Sequence, residues 1–395
     1  MTNKPSDTQQ LWQIMLESMR QSGIMNTPDV EAAFSAVPRH LFLPNLAPED
    51  VYVDRAIPLK KDGAGLLTSS SSQPSMMAIM LNQLQLQAGD NVLEIGTASG
   101  YNAAIMQYIV GKNGTITSIE IDNELAHQAQ QNLIRAHASR VNVVNADGVN
   151  GYAPRAGYDH IVATVGVWDV PSAWLMQLKP KGTLVVPIVI DGVQVSATFK
   201  AMSDGTYLSV DNRPCAFVYM LGTSAGPDFR RQVTSSPMYI LAAQVNQIDM
   251  VALDMLLAHD HEFYQFDTSL TPKEYWDGYQ IYLMLNASSN YVFFVYAVFD
   301  GQKAYQVDGQ GIGLFTKGSA ALAGYHEKGV VHCFAGADAF LEMQSVLDEW
   351  NALERPTVEN LRVKLIPKNL GKPEIVRGKL FDRQEHYLHV WFEVE

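Results

Sequence analysis

Two cysteines in 395 residues, Cys215 and Cys333, are too few and too far apart for a disulfide framework, and their spacing matches no metal-ligand pattern. Two free thiols in a reducing compartment is the plain expectation. Basic charge is scarce as well. With 28 Lys and Arg against 41 Asp and Glu the net charge is −13, which argues against a nucleic-acid backbone as partner, since that would reward a basic surface. No segment approaches the roughly 20 uninterrupted apolar residues of a membrane span, and the start, MTNKPSDTQQ, has no apolar signal core. A cytoplasmic protein without membrane or metal partners is expected. What is present is a globular composition, 47% hydrophobic, on a chain longer than one ordinary core supports, so two domains are the first expectation.

The most informative stretch is NVLEIGTASGYNAA, residues 91–104. Val92, Leu93 and Ile95 form a short apolar run suited to a buried parallel strand, and the small residues Gly96 to Gly100 follow at once. Strand, tight turn and helix is the implied order. Gly96 and Gly100 allow positive φ and close backbone approach, while the N–H groups opening a helix near Tyr101 suit a ligand carboxylate. Glu120 ends a second apolar run, 115–119, at about the distance where a doubly wound fold sets an acid against ribose hydroxyls. A nicotinamide or flavin domain shares this outline, and the glycines could simply make a tight connection. The turn reads G-T-A-S-G instead of G-x-G-x-x-G, and its strand carries Glu94 near its end; both favour an S-adenosylmethionine site.

Along the chain, Leu11, Met15 and Met19 predict an amphipathic helix ending near Gly23, and Thr27-Pro28-Asp29 predicts a second, capped by Thr27. Residues 37–44 read as a proline-bounded loop and 51–54 as a short extended piece. Residues 69–72 read as a hydroxyl-rich loop, more often a linker or cap than a site, that opens a helix striped with Met76, Met80 and Leu84. From residue 91 strands and helices alternate: helix 101–110, strand 115–119, helix 123–138, strand 141–145 and strand 160–165. This predicts an α/β, doubly wound, Rossmann-like domain with a parallel sheet. Asp147-Gly148 then falls at the carboxyl edge of the sheet, where ligands sit. A short helix at 174–178, a turn at 179–182 and strands at 183–190, 193–200, 207–210 and 215–221 close the domain. The Gly-, Ser- and Pro-rich segment 222–237 reads as a boundary, giving domains 1–225 and 238–395. The second is expected to be α+β, with helices at 248–259, 272–278 and 335–350, strands at 281–285, 291–298, 361–366 and 387–395, and a glycine-dense turn at 309–313. His259-Asp260-His261 reads as a polar helix end and not as a metal site.

Taken together these residues resemble the protein-L-isoaspartate O-methyltransferase family over residues 8–221. The resemblance rests on Pro38-Arg39-His40-Leu41-Phe42-Leu43-Pro44, on Tyr52 and Asp54, on Ser70-Ser71-Ser72-Gln73-Pro74, on Glu94 through Tyr101, on Glu120, on Asp147-Gly148, and on Gln177-Leu178-Lys179-Pro180. It implies a class I S-adenosylmethionine-dependent methyltransferase in which Ser72 is the active-site hydroxyl. Ser70, Ser71, Gln73 and Trp168 then lie on the substrate side. Glu94, Gly96, Thr97, Ala98, Ser99, Gly100, Tyr101, Asn102, Glu120, Ile121, Asp147 and Gly148 form the cofactor side. Two departures stand out: Ala98 replaces a common glycine, and Val165-Gly166-Val167-Trp168 replaces smaller residues. The carboxy-terminal extension and serine-dense loop resemble the family branch that methylates an aspartate of ribosomally made, modified peptides, whose ester then cyclises to aspartimide. On this resemblance the partner is a constrained peptide, recognised by residues 238–395. Repair of isoaspartyl proteins is the second expectation, and a binding protein without catalysis the third.

Overall fold

The computed structural model describes residues 7–63, 65–242, 245–259, 261–299 and 301–394. The chain divides into two compact units, one of Met1–Ile188, Ser196–Asp211 and Cys215–Ala225, the other of Val189–Val195, Asn212–Pro214 and Gly226–Glu395. The last crossing falls within the Gly-, Ser- and Pro-rich segment 222–237, whereas the two short early excursions leave no such mark in the sequence.

The first unit opens with helices α1 (Asp7–Gln21), α2 (Pro28–Ala36) and α3 (Pro48–Val51). The Thr27 backbone is extended, as at a cap, but its hydroxyl bonds Asn82 Oδ1 at 2.9 Å and caps nothing. Residues 39–42 form a 3-10 turn, and Val51 ends a helix that Pro48 starts, where an extended piece was expected. β1 (Ile57–Lys61) and β2 (Leu67–Ser71) form a two-stranded antiparallel sheet of their own. The serine run is therefore mostly strand: Ser71 pairs with Ile57 and Ser70 with Pro58, and backbone pairing needs no apolar alternation to hold such a ribbon.

α4 (Pro74–Leu84), β3 (Asn91–Ile95), α5 (Tyr101–Val110), β4 (Thr115–Glu120), α6 (Asn123–Arg135), β5 (Asn142–Asn145), β6 (Tyr158–Ala163), α7 (Ser172–Gln177), β7 (Leu178–Val189), β8 (Gln194–Ala201) and β9 (Tyr207–Cys215) follow. The sheet order is β9-β8-β7-β6-β3-β4-β5, with parallel pairing from β7 through β5. Successive strands leave β3 first on one side and then on the other, which puts a topological switch point at its carboxyl end. Val92 and Leu93 are fully buried, as are Ala103, Ile105 and Met106 on the helix behind them. α6 starts at Asp122, whose Oδ1 accepts the N–H groups of Glu124 and Leu125 at 3.0 and 3.1 Å, and it buries Ala126, Ala129 and Leu133. Residues 215–221 are not a closing strand. Beyond Cys215 only Tyr219 makes a bridge, to Gly166.

The second unit holds β10 (Arg230–Gln232), β11 (Met238–Leu241), α8 (Met250–Leu257), β12 (His261–Gln265), α9 (Pro272–Glu274), a π-turn at Tyr275–Tyr279, α10 (Gln280–Asn286), β13 (Val292–Val298), β14 (Gln310–Phe315), β15 (Ala320–Gly324), β16 (Val330–Phe334), α11 (Asp338–Ala352), β17 (Leu361–Pro367), β18 (Lys379–Asp382) and β19 (His386–Phe392). Seven strands form a sheet in the order β10-β11-β13-β14-β15-β16-β12, antiparallel throughout. Residues 281–285 are helical, not a strand: Ile281, Tyr282, Leu283 and Met284 are all buried, and a helix buried on every side has no periodicity to read. The glycines at 311 and 313 belong to a strand, not a turn. Phe294 and Tyr296 occupy the room their side chains would need, since a Cβ on Gly313 would lie 2.4 Å from Phe294 Cζ and one on Gly311 2.5 Å from the Tyr296 hydroxyl. Of the expected helix-end motif, Asp260 lies outside the described residues, and His261 begins β12, stacked on His332 at 5.4 Å. Among the described residues no group of three or more His, Cys, Asp or Glu could hold a metal ion, and no helix is long and apolar enough to cross a membrane.

Candidate active site

Segments of the first unit converge on a cleft at the switch point. Its floor is Ile95, Gly96 and Ala98; one wall is Ile119, Glu120, Ile121 and Asp122 with Leu125; the facing wall is Thr68, Ser69 and Ser70 of β2 with Lys60 of β1. Gly148, Thr164, Val165 and residues 218–221 complete it.

The floor turns sharply because Gly96 and Gly100 take φ of 101° and 86°. A Cβ on Gly96 would come within 2.8 Å of Thr164 Oγ1, so the close approach of backbone to wall requires glycine. Ala98 also lies in the left-handed region, φ 47°, at a cost of roughly 1 kcal/mol for a residue with a side chain. Its N–H donates to Glu120 Oε2 at 2.9 Å, and the Asp122 N–H donates to Oε1 at 3.1 Å. The Glu120 carboxylate thus faces the cleft with both oxygens anchored. Burial raises its pKa, opposed by these backbone donors.

Behind the floor stands a second carboxyl. Glu94 is fully buried, with Asn102 Nδ2 donating to Oε1 at 2.8 Å and Ser118 Oγ to Oε2 at 2.5 Å. Burial pushes it up to about 7 despite those donors. Thr97 Oγ1 meets Ser118 Oγ at 2.6 Å. Glu94, Thr97 and Asn102 therefore brace the turn from beneath and do not line the cleft. Tyr101 is buried among Phe34 and Phe42, and Gly100 packs on Ala129 and Leu133 of α6. Ser99 is held twice: its carbonyl accepts from Asn132 Nδ2 at 3.0 Å and its hydroxyl donates to Ser71 Oγ at 3.4 Å. Asp147 lies behind Gly148, taking the Thr223 N–H at 2.8 Å and hydroxyl at 2.7 Å on Oδ2. A Cβ on Gly222 would lie 2.6 Å from that oxygen. Asp147 therefore fixes the segment that carries Leu221 into the cleft.

Ser72 follows β2, just before α4, and its position is set through its backbone. Arg39, fully buried, donates from Nη1 to the carbonyls of Val51 and Val53 at 3.0 and 3.1 Å, and from Nη2 to those of Arg55, Ser71 and Ser72 at 3.2, 3.2 and 2.9 Å. One planar fork so joins the 51–55 turn to the end of the serine strand. Burial lowers its pKa to about 10, still protonated at neutral pH. Asp54 secures the far side, accepting the Ser75 N–H at 2.9 Å and Gln73 Nε2 at 3.0 Å. Of the residues expected on the substrate side, Ser70 lines the cleft, while Ser71, Ser72 and Gln73 follow it in the chain and are not in the lining. Trp168 is half-buried three residues beyond Val165 and is not in the lining.

Sequence reasoning missed Lys60, Asp122 and the 218–221 wall. Asp122 was recoverable, because Asp-Asn-Glu before an apolar helix is a cap signature; the other two depend on tertiary pairing alone.

Known proteins are similar to this part of the chain. A family profile described as protein-L-isoaspartate(D-aspartate) O-methyltransferase matches residues 10–225. A protein-L-isoaspartate O-methyltransferase of Pyrococcus horikoshii is 39% identical over 177 residues, 45% of this chain and 77% of its own. That of Methanopyrus kandleri is 36% identical over 209 residues, 53% of this chain and 90% of its own. A solved structure titled protein-L-isoaspartate O-methyltransferase superposes with a TM-score of 0.51 at 22% identity, covering 89% of this chain and 96% of its own.

Proposed function

The chain belongs to the protein-L-isoaspartate O-methyltransferase family, a family of S-adenosylmethionine-dependent enzymes, and from that premise we propose that it methylates an aspartyl or isoaspartyl carboxylate in a constrained, ribosomally made peptide. The observation that carries the transferase reading is the cleft itself. The Glu120 carboxylate suits ribose hydroxyls, Ile95, Ile119, Ile121 and Leu125 offer apolar faces for a base, and the Gly96 backbone approaches the wall where no side chain fits. Asp147 acts at one remove, through Gly148 and the 222–223 turn. When bound, the cofactor supplies an electrophilic methyl group on a positively charged sulfur.

The remaining work falls to the chain. A carboxylate whose ordinary pKa is near ~4 is ionised at neutral pH and needs no general base. Alignment is what the protein must supply, because the carboxylate oxygen has to lie in line with the methyl–sulfur bond, in a site where fixed donors replace water. The Ser72 hydroxyl would donate to that carboxylate, held in place by Arg39 and Asp54. The ester formed is a better electrophile than the acid, so the next backbone amide nitrogen can displace methanol and close a succinimide. Hydrolysis of that ring would serve repair, whereas its retention, or its isoaspartyl product, would serve peptide tailoring.

Repair is kept as a second reading because a solved structure of the same fold covers 89% of the chain, so the added unit does not by itself select a tailored peptide. Labelled cofactor incubated with a linear isoaspartyl peptide, and separately with a cyclic peptide encoded beside the gene, separates the two. Turnover confined to the linear peptide would sink the tailoring proposal. Ser72→Ala should lower methyl transfer steeply and leave cofactor affinity nearly unchanged; equal collapse of both would move Ser72 to the cofactor side.

A further inference from the structure

The β1–β2 ribbon is separate from the large sheet, yet it supplies a whole wall of the cleft. At its base Arg39 ties it down through the carbonyls of Arg55, Ser71 and Ser72. Farther out, the tie is Lys60. The register of the ribbon shifts on both sides of Lys60, which pairs with Ser69, and such irregularities re-aim a side chain. Its ammonium lies 2.5 Å from Asp122 Oδ2 and 3.4 Å from Glu124 Oε2, joining the serine wall to the opposite wall. Asp122 is also coupled to the cleft: its N–H donates to Glu120 Oε1 at 3.1 Å, and its other oxygen caps α6.

We propose that the Lys60–Asp122 ion pair closes the ribbon as a strap over the cofactor cleft and sets how long the cofactor or its demethylated product remains bound. Lys60 and Asp122 are 39% and 25% exposed, and half-exposed pairs of this kind contribute little to global stability. A ligand beneath the strap nevertheless leaves only when the walls part, so the pair acts on release. Lys60 is a positioning residue for Thr68, Ser69 and Ser70, and touches no reacting atom. The inference rests on the cofactor reading of the cleft.

The test is the dissociation rate of S-adenosylhomocysteine, followed by chasing labelled ligand from the full-length protein. Lys60→Met, which keeps the stem and removes the charge, should speed release about 3- to 5-fold while the melting temperature without ligand hardly moves. Asp122→Asn keeps the cap oxygen and should speed release similarly, and the double variant should release no faster than either single one. Salt should speed release from the unaltered chain and have little effect on Lys60→Met. Unchanged release in Lys60→Met, or independent multiplication of the two effects, would overturn the strap. Failure of the unaltered chain to bind S-adenosylhomocysteine would instead overturn the cofactor reading beneath it.

Discussion

In the first unit, Arg39, Glu94 and Asn132 are buried, and each fixes a loop of the cleft through hydrogen bonds to backbone or to a neighbouring strand. Both units bury large rings, Trp174 and Tyr158 in the first and Trp350, Tyr275, Tyr279, Tyr296 and Phe294 in the second, but those of the second pack on glycine and on one another. A polar group with several directed bonds specifies where a loop lies, which a reaction site needs. Ring packing specifies volume and gives a stiff body, which suits a scaffold or a recognition surface. On this contrast, damage to the first unit should show in rate, and damage to the second in stability or substrate choice.

The largest expected effect would break the contrast if it failed. A chain ended at residue 225 loses Arg383, whose Nη2 donates to the carbonyls of Val189 and Ile190 at 3.1 and 2.6 Å, and loses the Leu361 carbonyl that Asn212 Nδ2 meets at 2.7 Å. It should not melt cooperatively by calorimetry; a cooperative, active 1–225 fragment would show the second unit to be dispensable. Next, Trp350→Ala removes a buried ring bonded through Nε1 to the Pro356 carbonyl at 2.9 Å. It should cost about 3–5 kcal/mol in urea titration while the turnover number of the surviving folded protein is kept. Arg39→Lys leaves several carbonyls unpaired and should cost about 2–3 kcal/mol, but with a fall in turnover number that the tryptophan variant lacks.

The last effect is pH-dependent and vanishes at acid pH. Glu94 is raised from 4.5 to about 7 by burial, so its native state favours the protonated form. Its contribution to stability is complete below pH 4.5 and is lost as pH rises through about 7. Glu94→Gln should remove that loss, gaining of order 3 kcal/mol on the unaltered chain as pH rises from acid to mildly alkaline. A stability difference that stays flat over that range would show that Glu94 does not titrate there.

How far the sequence could be read follows from which interactions are local. The strand–turn–helix at Asn91–Ile95 and Tyr101–Val110 was legible because an apolar run, two glycines and a helix start are all local signals. The serine strand was not, since it lacks an apolar alternation and its anchor Arg39 lies 33 residues from Ser72. Residues 281–285 and 309–313 failed for another reason: uniform burial hides a helix, and glycine opposite an aromatic ring looks like a turn until the ring is placed. Within the site, Glu120 and Gly96 could be placed from their spacing, whereas the bracing role of Glu94 needed Ser118 on the neighbouring strand.

The two early excursions of the chain have a consequence for biosynthesis. Val189–Val195 and Asn212–Pro214 belong to the unit that is completed last, and their partners Arg383 and Leu361 are made well over a hundred residues later. At about 5–20 residues per second, they wait on the order of ten seconds or more on the ribosome. These two segments therefore reach their final bonds only after the carboxy-terminal residues have emerged.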